Sequence, residues 1–146
     1  MYLVDTSVWI DYLRGTDTAH VAFLDSLLTN PLATGITDGI YMEILQGASD
    51  APAFERLRSY FSGQQIYRFD DPFESHTAAA RLYVDARKRG FTIRSSMDCL
   101  IARCAVEHDL ILLHHDRDFQ QLQKIEPLLK QKHFLRSIEA GRLSRS

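Results

Sequence analysis

Cysteine is scarce in this sequence, and its placement argues against two kinds of site. The chain of 146 residues contains only two cysteines, Cys99 and Cys104. They stand five positions apart in one predicted helix, which puts them on different sides of that helix. We therefore expect no disulfide between them, and the sequence has no CxxC pattern for a metal. Both are expected to be small buried hydrophobic residues.

Long hydrophobic runs are also missing. No apolar stretch is long enough to cross a membrane, and Asp5 and Asp11 interrupt the apolar N-terminal stretch, which no basic segment precedes. These features predict a cytoplasmic protein without a membrane segment or a signal peptide. Hydrophobic residues make up 45% of the chain and charged residues 25%, the ordinary composition of a globular domain with a full core.

A strong net charge is absent too, but the value of −2 hides an uneven distribution. Residues 1–74 contain four Lys or Arg and eleven Asp or Glu, whereas residues 75–146 contain thirteen and eight. The basic half suits a partner that carries phosphates. The alternative for each individual charge is an ordinary solvated surface position.

Short apolar segments alternate with helical patterns along the chain. Helices lie between the predicted strands, often two between consecutive strands, which predicts an α/β fold with a mainly parallel sheet of four to five strands and helices on both faces. The length fits one domain, expected over residues 1–138, with a flexible tail at 139–146. The predicted strands are residues 3–4, 32–36, 65–69, 110–113 and 134–135.

Two acids follow predicted strands at the point where each strand ends. Asp5 follows the first strand, and Asp116 follows the fourth. Ligands of open parallel sheets bind beyond the carboxyl ends of the strands, so both side chains are aimed at the same edge. If the two strands are neighbours in the sheet, these carboxylates converge.

Two further acids stand on helices that are expected to pack on the sheet. Glu43 lies in the middle of "ITDGIYMEILQG" and borders the apolar face of that helix, and Asp98 lies in the first turn of "SSMDCLIARCA". Each acid also has a structural alternative. Asp5, Asp98 and Asp116 stand where helices begin and where carboxylates cap the helix or favour its dipole. Glu43 has the alternative of a hydrogen-bonded structural residue.

Four carboxylates in one pocket repel one another. Two unit charges ~6 Å apart cost about 3 kcal/mol at an effective dielectric constant near 20. A hard divalent cation removes this conflict, since Mg²⁺ or Mn²⁺ prefers oxygen ligands and keeps several waters. The sequence shows no Cys/His cluster of the kind that zinc favours. The four acids therefore predict a magnesium or manganese site.

In their order and approximate spacing, these motifs resemble those of the PIN-domain family, and within it the VapC-type ribonuclease toxins. The resemblance extends from "YLVDTSVWIDYLRG" to "LLHHDRDF" and includes "MEILQG" and "SSMDCLIA". It implies a PIN-like fold in which Asp5, Glu43, Asp98 and Asp116 form the acidic catalytic quartet. Asp5, Asp98 and Asp116 are then the ligands of one or two Mg²⁺ or Mn²⁺ ions, with Glu43 as a further ligand or as a base that orients water.

Several further residues are candidates for supporting roles. The family usually has Thr or Ser two positions before the last acid, where this sequence has His114. His114 is expected either to replace that hydroxyl through an imidazole hydrogen bond or to close the pocket, and His115 is expected at the surface. Thr6, Ser7 and Asp118 are candidates for contacts around the metal, with turn stabilisation or helix capping as their alternatives. The candidate contacts for RNA phosphates are Arg81, Arg87, Arg89 and Arg94.

The resemblance also implies an activity and partners. The expected enzyme is an endoribonuclease that hydrolyses RNA phosphodiester bonds and leaves 5′-phosphate and 3′-hydroxyl ends. The expected partners are a second copy of the chain and a small VapB-like antitoxin, whose tail covers the active-site groove and often presents an Arg to the acids. The apolar faces of "VAFLDSLL" and "FERLRSYF" are candidates for the partner surface, with core packing as the alternative.

Two other functions stay open on the sequence alone. Haloacid-dehalogenase-type phosphatases also place an Asp at the end of the first strand, but they need a second Asp where this chain has Ser7. They also need a downstream Lys in a strand context that the sequence does not show. The other alternative is a non-catalytic RNA- or protein-binding module on the same scaffold. Such a binder gains nothing from concentrated negative charge, and it would not be stabilised by added Mg²⁺.

Overall fold

A computed structural model of the chain describes residues 1–136. Within these residues, five strands and seven helices alternate. The strands are β1 (Tyr2–Val4), β2 (Thr34–Ile36), β3 (Gln65–Ile66), β4 (Ile111–Leu113) and β5 (Lys130–Lys132). The helices are α1 (Thr6–Leu13), α2 (Ala19–Leu27), α3 (Asp38–Gln46), α4 (Ala51–Phe61), α5 (Pro72–Lys88), α6 (Ser96–Glu107) and α7 (Arg117–Ile125).

All neighbouring strands of the sheet run parallel, in the order β3-β2-β1-β4-β5. β1 is therefore the central strand, and Leu3 pairs with Gly35 on one side and with Leu112 on the other. The chain moves outward from β1 through β2 to β3 and then crosses back to β4, so the strand order reverses between β1 and β4. In open α/β sheets, the crevice beyond the carboxyl ends at such a reversal is where ligands bind.

The helices form two groups. In the first, α1 contacts α2 and α3, and α3 contacts α4; in the second, α5, α6 and α7 contact one another, and α3 touches α6 between the groups. Right-handed crossovers place the first group on one face, and the reversal of direction places the second group on the other face. The predicted α/β fold is confirmed. No helix within residues 1–136 combines the length and the apolar character that a membrane crossing requires.

The core lies on both faces of the central strands. Leu3 and Val4 are consecutive, point to opposite faces and are both fully buried, as expected for a parallel strand covered by helices on each side. Trp9 of α1 packs edge-to-face on Phe61 of α4, with ring centroids 4.8 Å apart. Both cysteines are buried, as predicted, and neither forms a disulfide.

The last strand was predicted in the wrong place. β5 is the polar segment Lys130–Lys132 and pairs with β4, whereas residues 134–135 form no strand. Phe134 instead lies against Phe23, with ring centroids 5.8 Å apart. The hydrophobic pattern missed β5 because this edge strand forms through backbone pairing and carries no buried side chain. The predicted tail at 139–146 lies outside the described residues.

Gly35 of β2 is expected to be intolerant of a side chain. A Cβ at this position would overlap the ring of Tyr67 and lie 3.0 Å from the Gln65 carbonyl oxygen. Gly35→Ala should therefore lower the free energy of unfolding by about 1–3 kcal/mol in urea titrations. Gly63→Ala is the matched control, because the nearest atom to its Cβ is 3.6 Å away. Equal stability of the two variants would contradict the close approach of Tyr67.

Candidate functional site

Asp5 directly follows β1, at the point where the strand order of the sheet reverses, and it is 5% exposed. Its Oδ2 caps α1 by accepting hydrogen bonds from the Ser7 backbone N–H at 3.0 Å and the Ser7 hydroxyl at 2.6 Å. Within residues 1–136, no donor reaches its Oδ1. Burial, opposed in part by the Ser7 hydrogen bonds, raises the pKa of Asp5 to about 6, and the charges of Glu43 and Asp116 add to the increase. Asp5 therefore caps a helix and keeps one oxygen for another partner.

Thr6 and Ser7 connect Asp5 to its surroundings. The Thr6 hydroxyl donates to Glu43 Oε1 at 3.0 Å, which fixes the carboxylate of α3 beside the end of β1. The Ser7 hydroxyl oxygen accepts the His115 backbone N–H at 2.9 Å, which ties α1 to the turn after β4. The Thr6 hydroxyl thus holds Glu43, and the Ser7 hydroxyl links Asp5 to the turn that precedes Asp116.

Asp98 lies in the first turn of α6 and is only 9% exposed. Its carboxylate has no hydrogen-bond partner among the described residues. Burial raises its pKa to about 8, and the charges of Asp5, Asp116 and Asp118 contribute in the same direction. The residue is largely buried, but its carboxylate oxygens are not among the fully buried unpartnered atoms of the described residues. They stand among other acids, whose charges favour a cation or a proton at this position.

Asp116 and Asp118 complete the acidic group. Asp116 caps α7, with its Oδ1 accepting the Asp118 backbone N–H at 3.0 Å. One carboxylate oxygen from each of Asp98, Asp116 and Asp118 lies within 4.8 Å of the other two. Asp118 is thus a member of the tight acidic trio rather than a helix cap. Asp5 is outside that trio but close enough for its charge to raise the pKa of Asp98.

His114 is fully buried beneath the acidic group. Its Nδ1 accepts the Asp116 backbone N–H at 3.1 Å, and its Nε2 lies 2.6 Å from Gln131 Oε1. These contacts assign the proton to Nε2 and a neutral ring, and burial lowers its pKa to about 4. Because both ring nitrogens are engaged within the protein, His114 holds the turn of Asp116 and is not a metal ligand in this arrangement.

Five carboxylates from four segments of the chain therefore gather beyond the ends of β1 and β4. The donors that face one another are all oxygens, which fits Mg²⁺ or Mn²⁺ better than zinc. The acids of this group are Asp5, Glu43, Asp98, Asp116 and Asp118.

The chain matches a known protein family over most of its length. Residues 2–125 match the PIN domain family. This chain is a PIN domain. Among curated proteins, the VapC ribonuclease Mb1587 of Mycobacterium bovis is 36% identical over 129 residues, which are 88% of this chain and 96% of that protein. The family resemblance predicted from the motifs is confirmed.

Solved structures show the same fold as this PIN domain at lower identity. VapBC2 from Rickettsia felis, bound to a DNA fragment from its promoter, matches with a TM-score of 0.66 and 18% identity over 92% of this chain and 98% of that chain. FitAcB from Neisseria gonorrhoeae matches with a TM-score of 0.68 and 22% identity over 90% of this chain and 96% of that chain. These likenesses concern the fold alone.

Only one of the four arginines predicted to contact RNA phosphates reaches the acids of this PIN domain. The Arg94 guanidinium donates to Asp116 Oδ1 at 2.8 Å and to Asp118 Oδ2 at 3.2 Å. Its backbone N–H also donates to Asp118 Oδ2, at 3.0 Å. The sequence pattern did not foresee this contact, because it depends on the path of the loop between α5 and α6.

The other three arginines lie away from this contact. Arg89 Nη1 donates to the Lys124 carbonyl oxygen at 2.9 Å, and the Arg87 guanidinium lies 5.8 Å from the centre of the Tyr83 ring. Arg81 is exposed on α5. A role for any of them in binding RNA phosphates stays a prediction.

A mixed group of side chains lies near the acids. The structure brings Asp11, His20 and His115 together, with one possible ligand atom of each within 4.8 Å of the other two. No spacing rule reveals this group, since its members come from α1, α2 and the turn after β4. His115 is exposed, as predicted.

Arg94 is expected to compete with a divalent cation for the same carboxylates. Its side chain is 69% exposed, so its ion pairs are weak and a cation can displace it. Arg94→Ala should therefore bind Mg²⁺ several-fold more tightly than the wild type in isothermal titration calorimetry. Arg81→Ala is the control and should leave the affinity unchanged. Weaker Mg²⁺ binding by Arg94→Ala would show that this guanidinium supports the ion rather than competes with it.

Proposed function

We propose that this PIN domain is a Mg²⁺- or Mn²⁺-dependent endoribonuclease and the toxin of a VapBC-type toxin–antitoxin pair. The main support for this proposal is the position of Asp98. Its side chain is largely buried, has no hydrogen-bond donor among the described residues and lies among other acids. A pure binding module has no use for this arrangement, whereas a metal-dependent nuclease needs it. The curated relative at 36% identity bears the name of a VapC ribonuclease.

The residues proposed to hold the cation are Asp5, through its Oδ1, together with Asp98 and Asp116. When bound there, a divalent cation lowers the pKa of a coordinated water and offsets the charge of the attacked phosphate. Asp118 stands next to Asp98 and Asp116, where it can accept a hydrogen bond from a coordinated water.

Glu43 is proposed to orient the attacking water and Arg94 to contact the phosphate. Glu43 is held by the Thr6 hydroxyl at 3.0 Å through Oε1, and we assign it to orienting the attacking water and accepting its proton. The water oxygen forms a new bond to phosphorus, and the bond from phosphorus to the 3′ oxygen breaks. That oxygen takes a proton from solvent as it leaves, which gives a 3′-hydroxyl and a 5′-phosphate end. Arg94, once released from Asp116, is close enough to contact the phosphate.

Cleavage of total RNA tests this function directly. The purified chain, incubated with total RNA and Mg²⁺, should produce discrete new ends that carry 5′-phosphates and therefore ligate to adapters without added kinase. The same reaction with a chelator should produce none. Ends that appear equally with and without Mg²⁺, or a complete absence of cleavage at saturating Mg²⁺ and Mn²⁺, would contradict the proposal.

The proposed antitoxin site is an apolar groove between helices. It has a volume of about 510 Å³ and is formed by α1, α3 and α4. Ile44 of α3, the residue after Glu43, is among its lining residues, whereas the five acids are not. Its apolar floor, with Arg14 and Arg56 among the lining residues, suits an amphipathic segment that carries acidic residues.

The two predicted partner segments differ in how they use their apolar residues. Leu57 and Tyr60 of "FERLRSYF" line the groove, whereas Leu24 of "VAFLDSLL" is fully buried in the core. The similar structure from Rickettsia felis is that of VapBC2 bound to a DNA fragment from its promoter. A VapB-like partner, assembly as a homodimer and a cytoplasmic location are predictions for this chain on the same basis.

A charge in the groove is expected to separate antitoxin binding from catalysis. Leu13 lines the groove and is 44% exposed, so Leu13→Asp should fold normally. It should weaken capture of a co-expressed VapB-like antitoxin by at least about tenfold, since a buried unpaired charge is costly. Leu128→Asp, at a residue 72% exposed elsewhere, is the control. Unimpaired capture by Leu13→Asp would place the antitoxin on another surface.

A further inference from the structure

A second group of metal-ligand side chains lies beside the acidic group and includes two histidines. Asp11 of α1, His20 of α2 and His115 of the turn after β4 each place one ligand atom within 4.8 Å of the other two. None of these side chains takes part in the proposed nuclease chemistry. We propose that they form a separate transition-metal site of the His₂Asp type, suited to Zn²⁺.

Asp11 and His20 already have the geometry of a ligand pair. His20 is 3% exposed, and its Nε2 lies 2.7 Å from Asp11 Oδ2. In a tetrahedral site with bonds of about 2.0–2.1 Å, ligand atoms stand about 3.3 Å apart, so the pair needs to open only slightly. The metal takes the place of the proton between the two atoms, and the imidazole keeps its single proton on Nδ1.

His115 supplies the third ligand from an adaptable position. Its ring stacks on the His20 ring with centroids 4.1 Å apart and an interplanar angle of 16°. Because the His115 side chain is exposed on a turn, it can rotate to direct a ring nitrogen at the metal. The Thr18 hydroxyl lies 3.4 Å from His20 Nε2, close enough to contact a metal-bound water. Three protein ligands leave the fourth position of a tetrahedral ion to that water.

The chemistry of the donors keeps this site separate from the acidic one. Imidazole nitrogen favours Zn²⁺, Ni²⁺ and Co²⁺, whereas a group of carboxylates favours Mg²⁺ and Mn²⁺. The two sites are nevertheless connected by hydrogen bonds. The His115 backbone N–H donates to Ser7 Oγ at 2.9 Å, and the Ser7 hydroxyl donates to Asp5 Oδ2 at 2.6 Å. A metal on His115 therefore fixes the turn that joins the two sites.

Titration with Co²⁺ in excess Mg²⁺ tests the proposed site. Mg²⁺ occupies the carboxylate oxygens, and tetrahedral Co²⁺ gives an intense visible absorption that octahedral Co²⁺ lacks. The wild type should develop this band to saturation at one equivalent. His115→Ala and Asp11→Asn should weaken binding by at least about tenfold, as expected for loss of a ligand. His76→Ala, at an exposed histidine on α5, should bind like the wild type.

The outcomes are decisive in both directions. Absence of the tetrahedral band in the wild type, or unchanged affinity in His115→Ala, would overturn the site. His115→Ala is chosen because an exposed residue is replaced, whereas a variant of buried His20 risks losing the fold. Asp98→Asn should keep the Co²⁺ band even though it is expected to lose cleavage. A failure of the nuclease proposal is therefore distinguishable from a failure of this one.

Discussion

Asp98→Asn is expected to abolish Mg²⁺-dependent RNA cleavage and, at the same time, to stabilise the metal-free protein. Asp98 is buried without a donor among the described residues, and its pKa is raised to about 8 mainly by burial. Loss of a metal ligand should reduce the cleavage rate by at least about a hundredfold. Removal of an unfavourable buried acid should raise the free energy of unfolding at pH 7 by roughly 1–3 kcal/mol. Few active-site substitutions are expected to move activity and stability so far in opposite directions.

Cleavage assays and urea titrations without metal measure the two effects. Asp25→Asn is the matched control, since it removes the same charge from an exposed position of α2. It should change neither the activity nor the stability appreciably. Added Mg²⁺ should stabilise the wild type but not Asp98→Asn. A variant that cleaves like the wild type, or that gains stability from Mg²⁺ to the same degree, would remove Asp98 from the metal site.

Mg²⁺ affinity is expected to rise steeply with pH. A bound cation requires ionised carboxylates, but Asp98 and Asp5 hold protons up to pKa values of about 8 and about 6. Between these two values, binding displaces one proton, so the affinity should rise about tenfold per pH unit. Below pH 6, two protons are displaced and the slope should approach a hundredfold per unit. Above pH 8, the affinity should level off.

The same shifts determine the stability of the metal-free protein. Both carboxyl groups have folded-state pKa values above the unfolded value of about 3.9, so the folded state binds more protons in this range. Their contribution to stability is therefore fully present below about pH 4 and is lost as the pH rises through 6 and then 8. Urea titrations without metal across this range measure that loss of stability, and Asp98→Asn should remove the part between pH 6 and pH 8. Calorimetric titration of the wild type with Mg²⁺ measures the affinity. A pH-independent affinity would contradict the raised pKa values.

The two acids at the strand ends are the part of the site that the sequence predicts most readily. Asp5 and Asp116 each follow an apolar strand, and the carboxyl ends of parallel strands meet at one edge. Glu43 and Asp98 stand on helices, where the pattern alone left structural alternatives open. Their positions in the family motifs, rather than periodicity, singled them out. The structure now places all four close enough for their charges to act on one another.

Other features depend on tertiary geometry that local patterns do not encode. Asp118 looked like a helix cap because it stands in the first turn of α7, but Asp116 is the cap and Asp118 faces Asp98. The contact of Arg94 with the acids depends on the path of a loop. The Asp11–His20 pair joins two helices, and its metal-binding geometry emerges only when the turn after β4 brings in a third side chain.

His114 shows how a departure from a family pattern can be accommodated. Where relatives are expected to have a hydroxyl, this chain has an imidazole whose Nδ1 accepts the Asp116 backbone N–H at 3.1 Å. Gln131 of β5 fixes the ring from the other side, with 2.6 Å between its Oε1 and Nε2 of the ring. The sequence prediction of an imidazole hydrogen bond at this point agrees with the geometry. Its partner across the sheet was not predictable, because β5 has no hydrophobic pattern.

A crystal structure of the Mn²⁺-soaked protein, with anomalous scattering recorded at the manganese edge, tests the metal site most directly. We expect an anomalous peak bonded to carboxylate oxygens of Asp98 and Asp116 and within bonding or water-bridged distance of Asp5 Oδ1, with Arg94 displaced from Asp116. An absence of any peak among these acids, at a Mn²⁺ concentration that supports RNA cleavage, would contradict it.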